Sequence, residues 1–329
     1  MSEKMNEHNS GLMFKLSPIY KDYLWGGNNL KNEFNKDTDT ERVAESWEFS
    51  ASEYGATTIT TGKYAGKTLK EVVSMLNPMI FGSNFVVERG FPLLIKLIDA
   101  DQPLSLQVHP DDAYAEDVEH ALGKTEMWYV VDCDEGAYVY YGLNRDVTKE
   151  EFLRRVIDNS LTEILNKVPV RRGDVFYIRP GTLHAIGGGI IICEFQENSN
   201  STYRVYDYGR RDANGNLREL HIDKALDVIK LKKEPDLVSI RNLEQHMGYM
   251  KERLVVCEYF TVYKYIVKSF VELSILDESF LGLINLYGNG KIADGDTVIS
   301  FTKGDTMFVA AGERKVTVTG NCILLVVKL

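Results

Sequence analysis

Aromatic and β-branched residues alternate with polar ones over much of this 329-residue chain, and turns rich in Gly, Asp and Asn separate the runs. A period of two sends successive side chains to opposite faces, so runs of this kind fold as strands rather than helices. The expected fold is mainly β with short helical inserts. Helices open where Thr or Ser stands three residues before Glu, because hydroxyl and carboxylate then cap each other's backbone N–H groups. Thr68 with Glu71, Thr148 with Glu151, and Ser160 with Glu163 mark three such starts. A fourth helix is expected from Asp111 to Leu122, begun by Pro110 and the acidic pair Asp111 and Asp112.

The chain also echoes itself. Gly173-Asp-Val-Phe-Tyr-Ile-Arg-Pro-Gly181 matches Gly304-Asp-Thr-Met-Phe-Val-Ala-Ala-Gly312: a Gly-Asp turn, four mostly apolar strand residues, then a second glycine at the same offset. This reads as two copies of one β-roll unit. Where the first copy carries His184 the second carries Lys315, so only the first keeps a candidate for chemistry. A Lys-rich stretch with Pro235 interrupts the β pattern between about Lys230 and Gly248, dividing the chain into segments 1–240 and 241–329.

Four segments carry polar groups in chemically suggestive places. In Pro103-Leu-Ser-Leu-Gln-Val-His-Pro110, a strand sends Leu104, Leu106 and Val108 to one face and Ser105, Gln107 and His109 to the other. That pattern suits a strand lining a polar cavity, and equally a surface strand with a polar outer side. In Gly123-Lys-Thr-Glu-Met-Trp-Tyr-Val-Val131, Lys124 and Glu126 share a face at the head of a near-continuous apolar run. Such a run implies burial on both sides, and a buried carboxylate needs a cationic partner, either Lys124 or a metal. In Ile178-Arg-Pro-Gly-Thr-Leu-His-Ala185, His184 follows a Pro-Gly turn and is one of six histidines in the chain. His109, Glu126 and His184 are the ligand types zinc prefers, and Gln107 could add an amide oxygen. In Cys193-Glu-Phe-Gln-Glu-Asn-Ser-Asn-Ser-Thr-Tyr-Arg-Val-Tyr-Asp207, a polar loop feeds a strand on which Thr202, Arg204 and Tyr206 share a face. The planar fork of an arginine can clamp a phosphate or an enediolate.

Lys96 stands apart from these. It lies within Leu93-Leu-Ile-Lys-Leu-Ile98, apolar on both faces, where a solvated lysine has no place. It either snorkels to a rim or is desolvated beside a divalent cation, and then its pKa is expected to fall.

Bulk properties narrow the function classes. Hydrophobic residues make up 44 % and charged residues 26 %, as in ordinary globular proteins, and a net charge of −10 argues against nucleic-acid binding through a broad basic surface. Cys133, Cys193, Cys257 and Cys322 are widely spaced with no CxxC pair, which favours free thiols in a reducing compartment. Residues Met1 to Gly11 lack the apolar core of a signal peptide, and no apolar run reaches the ~20 residues of a membrane span. A cytoplasmic location is expected, without a membrane or nucleic-acid partner.

Taken in order, the four segments resemble the type I mannose-6-phosphate isomerases. The resemblance rests on Leu-Ser-x-Gln-Val-His-Pro at 104–110, Lys-x-Glu-x-Trp at 124–128, Pro-Gly-Thr-x-His-Ala at 180–185 and Ser-x-x-Thr-Tyr-Arg-x-Tyr-Asp at 199–207. Leu-Trp-Gly-Gly at 24–27 is also similar, and the likeness covers about residues 14–230 and, more weakly, the rest. It implies two cupin-type β-barrels (jelly rolls): a catalytic one with helical inserts over 1–240, and a smaller one over 241–329 without a metal site. The family's zinc ligands fall on Gln107, His109, Glu126 and His184, one ion per chain. Its active-site arginine falls on Arg204 and its pocket lysines on Lys96 and Lys124. Arg179-Pro180 stands where the family usually has Pro and a small residue, and the chain is shorter than forms with an extra helical domain.

The resemblance implies interconversion of mannose 6-phosphate and fructose 6-phosphate through an enediol. Zinc and Arg204 would stabilise negative charge, Lys124 or Lys96 would take part in proton transfer, and Ser105 and Glu194 would contact substrate. Which group is the general base stays open at this level, as does the oligomeric state. Two other readings remain: a different metal-dependent cupin enzyme, such as an oxygenase, and a non-catalytic barrel that binds sugar phosphate.

Overall fold

The structure, a computed structural model, describes residues 12–36, 38–211, 215–235 and 242–329. The N-terminal stretch through Gly11 and the division at 240/241 lie outside the described residues.

Antiparallel strands dominate, as the alternation requires. Two sheets of the first two-thirds of the chain carry the four segments. The six-stranded sheet runs, in spatial order, Val175–Ile178, Glu126–Cys133, Ile190–Glu197, Leu93–Ala100, Glu45–Phe49 and Ile19–Lys21. The five-stranded sheet runs Leu165–Pro169, Tyr138–Leu143, His184–Ile186, Leu106–Val108 and Tyr203–Tyr206. A third sheet of ten strands holds those after residue 242 together with Met13–Ser17 and Thr58–Ile59. Met13–Ser17 pairs with Thr306–Val309 in the register Met13↔Val309, so the start of the chain completes the sheet formed by its end.

The six-stranded sheet is the middle layer, which explains its strands' apolar composition on both faces. Ile95, Leu97, Met127, Tyr129, Cys193 and Phe195 point to a core shared with Val262, Ile284, Phe308 and Leu325 of the ten-stranded sheet. Ile98, Trp128, Val130, Ile190 and Ile192 point the other way, onto Val139, Tyr141 and Ile186 of the five-stranded sheet. Rings of Phe49, Phe91, Phe280 and Phe308 stack at the first of these junctions, with centroids 5.4–6.2 Å apart.

The internal echo has a structural counterpart. Gly173 and Gly304 adopt φ of 90° and 89°, a conformation open to glycine. In the first turn Asp174 Oδ2 accepts from Arg171 N at 2.8 Å, and in the second Asp305 Oδ2 accepts from Thr302 N at 2.7 Å. Four-residue strands follow both, Val175–Ile178 and Thr306–Val309.

Two of the expected helix starts form as such. Thr68 and Glu71 make a complete capping box on helix Leu69–Met75, and Thr148 accepts from Glu151 N to open Lys149–Ile157. The expected Asp111–Leu122 helix is shorter, Asp112–Glu119, with Asp111 rather than Pro110 at its cap. Ser160 and Glu163 open only a 3₁₀ turn, Leu161–Ile164, without a side-chain cap. The Ser160 hydroxyl is drawn instead to Asp158 Oδ1 at 2.5 Å, and Arg155 takes the Glu163 carboxylate at 2.9 Å. Local competition for the same side chains defeats the motif.

A buried ion pair ties the halves together. Lys36 Nζ lies 2.7 Å from Glu48 Oε1 and donates to the Gly304 carbonyl at 2.6 Å, while Thr306 Oγ1 donates to Glu48 Oε2 at 3.0 Å. Removing one partner strands the other's charge in the interior, which costs about 3–5 kcal/mol. Lys36→Met is therefore expected to lower stability by roughly that amount in a denaturant titration, with the loss much reduced in the double variant Lys36→Met, Glu48→Leu.

Candidate metal and substrate site

The site lies where the middle sheet faces the five-stranded sheet, and strand register builds it. His184 sits directly opposite Gln107 on neighbouring strands, and Arg204 flanks Gln107 on the other side. His109 follows the Leu106–Val108 strand by one residue, and Glu126 opens its own strand across the cleft. Leu106 and Val108 are buried in the outer core while Ser105 and Gln107 line the cavity, but Leu104, expected on the Leu106 face, lines the cavity too and packs with Ile98 and Ile186, because it precedes the Leu106–Val108 strand.

His109, Glu126 and His184 converge: one potential ligand atom from each lies within 4.8 Å of the others. All three are buried. Glu126 Oε2 is 3.6 Å from His109 Nε2, and Oε1 is 3.2 Å from His184 Nε2. The outer ring nitrogens are tethered to carbonyls, His109 Nδ1 to Ser201 O at 2.9 Å and His184 Nδ1 to Thr182 O at 2.8 Å. A ring that donates from Nδ1 keeps a lone pair on Nε2, so both imidazoles present acceptors inward. Burial, with Lys124 nearby, pushes His109 down to about 3, which keeps it neutral. Burial alone would raise the Glu126 carboxyl, but the Lys124 ammonium is the largest influence holding it well below the ordinary range. Gln107 Nε2 reaches to 3.4 Å from His184 Nε2, and a half-turn of that amide presents its oxygen instead.

This donor set fits a divalent ion. Lys124 Nζ stands 2.8 Å from Glu126 Oε2 as an ion pair, yet no hydrogen-bond donor is aligned on either Glu126 oxygen. Lys124 Nζ also lies 3.2 Å from His109 Nε2, and a buried carboxylate beside two imidazole nitrogens is a donor set whose remaining acceptor capacity a divalent cation would satisfy. The two cationic partners expected for Glu126 are thus compatible, because lysine and metal approach the same carboxylate.

Beside this cluster a single cross-strand row crosses the middle sheet: Trp47 opposite Lys96, Lys96 opposite Glu194, Glu194 opposite Trp128. Lys96 Nζ is 3.2 Å from Glu194 Oε1 and 3.7 Å from Glu45 Oε2. Trp47 Nε1 donates to Glu45 at 2.7 Å and Trp128 Nε1 to Glu194 at 3.0 Å. Lys96 is therefore neither at a rim nor depressed in pKa. Burial pulls it down, but Glu45 and Glu194 outweigh that and raise it above the ordinary lysine value. The expectation of a depressed lysine fails because the sheet register brings in two carboxylates that are distant in sequence.

A cavity of ≈ 410 Å³ joins these groups, lined by Lys96, Lys124, Gln107, Ser105, Glu194 and Arg204 together with Glu45, Trp47, Arg218 and His221. Arg204 donates to Ser105 Oγ at 3.3 Å and to the Glu219 carbonyl at 2.9 Å. Burial and then the neighbouring Arg218 lower its pKa, the sign of crowded positive charge. Sequence reasoning missed Glu45, Trp47, Arg218 and His221. Glu45 opens the largely polar strand Glu45-Ser-Trp-Glu-Phe49, so it does not stand out there as Lys96 does in its apolar run. Nothing local marks Arg218 or His221.

Residues 13–140 match the family described as phosphomannose isomerase type I, catalytic domain, and residues 250–329 match the mannose-6-phosphate isomerase cupin domain. The chain is 39 % identical to the mannose-6-phosphate isomerase ManA of Bacillus subtilis, over 95 % of this chain and 98 % of that one. The chain belongs to the type I phosphomannose isomerases. A mannose-6-phosphate isomerase of Streptococcus mutans is 38 % identical over 90 % of this chain and 92 % of its own. Among solved structures, the mannose 6-phosphate isomerase of Bacillus subtilis superposes with a TM-score of 0.90 at 36 % identity, covering 96 % of this chain and 99 % of that one. The phosphomannose isomerase of Salmonella typhimurium shares the fold at a TM-score of 0.74 and 16 % identity. The mainly β architecture with a cupin domain is thus that of the phosphomannose isomerases.

Behind the site, Glu197 is buried at the end of the Ile190–Glu197 strand, and burial followed by the nearby Asp112 raises its carboxyl from the ordinary 4.5 to about 7. The folded protein then holds a proton that the unfolded chain has already released, so stability falls as pH rises through that window. Glu197→Gln is expected to flatten this decline between about pH 5 and 7 in denaturation midpoints, where the parent should lose stability with each step upward.

Proposed function

We propose that the cavity lined by Lys96, Lys124, Gln107 and Arg204, beside the His109–Glu126–His184 cluster, is where this isomerase interconverts mannose 6-phosphate and fructose 6-phosphate, with zinc held by Gln107, His109, Glu126 and His184. The observation that carries the reading is the inward-facing His–Glu–His cluster with two tethered imidazoles and an unsatisfied carboxylate. Lewis-acid polarisation of a substrate oxygen is what the ion supplies when bound.

The chain's own residues supply the rest. Moving a hydrogen between C1 and C2 requires proton transfer at carbon and stabilisation of the charge that gathers on oxygen. Lys96, kept protonated by Glu45 and Glu194, serves as a fixed positive donor rather than a base. Glu194 and Lys124 remain as the groups that exchange protons, and both line the cavity. General acid–base help of this kind contributes ~10²–10⁴-fold. Arg204 and Arg218 bring two positive groups to the cavity wall, with the Ser105 hydroxyl 3.3 Å from Arg204. That wall suits the dianionic phosphate, which would relieve the repulsion between the two guanidinium groups. Trp47 and Trp128 pin the Glu45 and Glu194 carboxylates.

The same reading assigns residues 1–240 to a catalytic cupin-type barrel and 241–329 to a smaller one. Among the described residues the only metal-capable cluster lies in the first, and Lys315 stands at the echo of His184. No helix among the described residues is long and apolar enough to cross a membrane, and the four cysteines are free, which supports a cytoplasmic enzyme acting on a small substrate.

Two measurements test the assignment. In a coupled assay for fructose 6-phosphate, chelation should abolish turnover and zinc should restore it; activity that survives with metal content at background would defeat the metal reading. Arg204→Ala and His184→Ala, each confirmed to be folded, should lose ~10²–10³-fold or more in kcat/KM, and near-parental turnover in either would remove that residue from the site.

A further inference from the structure

Lys124 reaches the metal cluster from a segment that precedes the sheet pairing, and Glu126 stands at the edge of that pairing. Pairing with the neighbouring strands begins at Glu126, opposite Gln196 on one side and Ile178 on the other. The N–H groups of residues 123–125 therefore have no ladder partners, and buried donors must find others. Gly123 N donates to Asp112 Oδ1 at 2.9 Å, Lys124 N to the Pro110 carbonyl at 3.0 Å, and Thr125 N to Glu197 Oε2 at 2.7 Å. Glu197 N donates in turn to the Thr125 carbonyl at 3.1 Å, so one residue grips both sides of Thr125. At Gly123 a side chain would lie 2.4 Å from the Asp111 backbone, which shows how tightly this segment is seated.

The bracing comes from the face of the sheet away from the substrate, and it reaches the C-terminal part of the chain. Tyr259 OH donates to Asp112 Oδ2 at 3.2 Å, and Arg89 pairs with the same oxygen. Arg89, Glu197 and Tyr259 line a separate cavity of ≈ 360 Å³ together with the terminal Leu329.

We propose that Glu197 is a positioning residue: by accepting from Thr125 N it fixes the backbone between Lys124 and Glu126 and so holds the Glu126 carboxylate in the metal cluster and the Lys124 ammonium against it. Asp112 holds the preceding turn in the same way, and Tyr259 lets the C-terminal part of the chain, which has no metal cluster among its described residues, brace the one in the catalytic part. The role rests on the proposed isomerase site. It requires an acceptor at position 197 and no charge, because a neutral amide oxygen can take the same hydrogen bond.

The test uses the full chain as Glu197→Gln and Glu197→Ala, with Tyr259→Phe as a milder probe. Glu197→Gln should keep the parent's kcat and zinc affinity. Glu197→Ala should lower kcat and zinc affinity (chelator competition) by ~10- to 100-fold, the usual effect of removing a group that orients a ligand, with KM little changed. The Thr125 amide should exchange slowly with solvent deuterium in the parent and in Glu197→Gln, and faster in Glu197→Ala. Tyr259→Phe should shift zinc affinity in the same direction by less. Parent-like kcat and zinc affinity in Glu197→Ala would overturn the proposal, as would an equal loss in Glu197→Gln. If Glu197→Ala does not fold, rapid Thr125 exchange in the parent overturns it instead. Metal affinity and amide exchange are read without substrate, so an inactive parent would sink the isomerase reading and leave this inference standing.

Discussion

A buried carboxylate with no aligned donor organises this molecule. Glu126 lies in the interior between two imidazoles and an ammonium group, where an uncompensated charge is costly. Everything around it answers that cost. Each histidine is tied by its outer nitrogen so that its lone pair faces in, and Lys124 supplies positive charge from two residues away on the same face. A site so arranged has most of its orienting work done before any ligand enters.

The middle sheet turns that local constraint into an enzyme cavity. Its strands are largely apolar on both faces because each face has a layer to cover, and Glu45, Lys96 and Glu194 stand where one face opens onto the cavity. There the polar groups form a cross-strand row, Trp47, Lys96, Glu194 and Trp128. Opposite charges alternate at Glu45, Lys96 and Glu194, while Arg204 and Arg218 lie close enough to disfavour each other's charge, with Asp207 3.5 Å from Arg218.

The C-terminal sheet takes part in this order without offering a metal cluster among its described residues. It receives the first described strand of the chain, encloses the Lys36–Glu48 pair, and touches the catalytic segment through Tyr259 and Asp112. The matched turns at Gly173 and Gly304 are consistent with one unit used twice, once for chemistry and once for support.

The amino-acid pattern by itself determined what period and capping can carry. It determined strands from alternation, the Thr68 and Thr148 helix starts, the shared face of Ser105, Gln107 and His109, and that of Lys124 with Glu126, all of which act within a few residues. It also marked His184 and Arg204 through motifs. It could not supply what depends on register between strands far apart in the chain. The charge state of Lys96 follows from Glu45 and Glu194 arriving beside it, and Arg218 and His221 reach the cavity from a stretch with no periodic signal. Tertiary structure alone decided these, because hydrogen-bonded register sets which side chains meet, and electrostatic coupling depends on that distance rather than on separation along the chain.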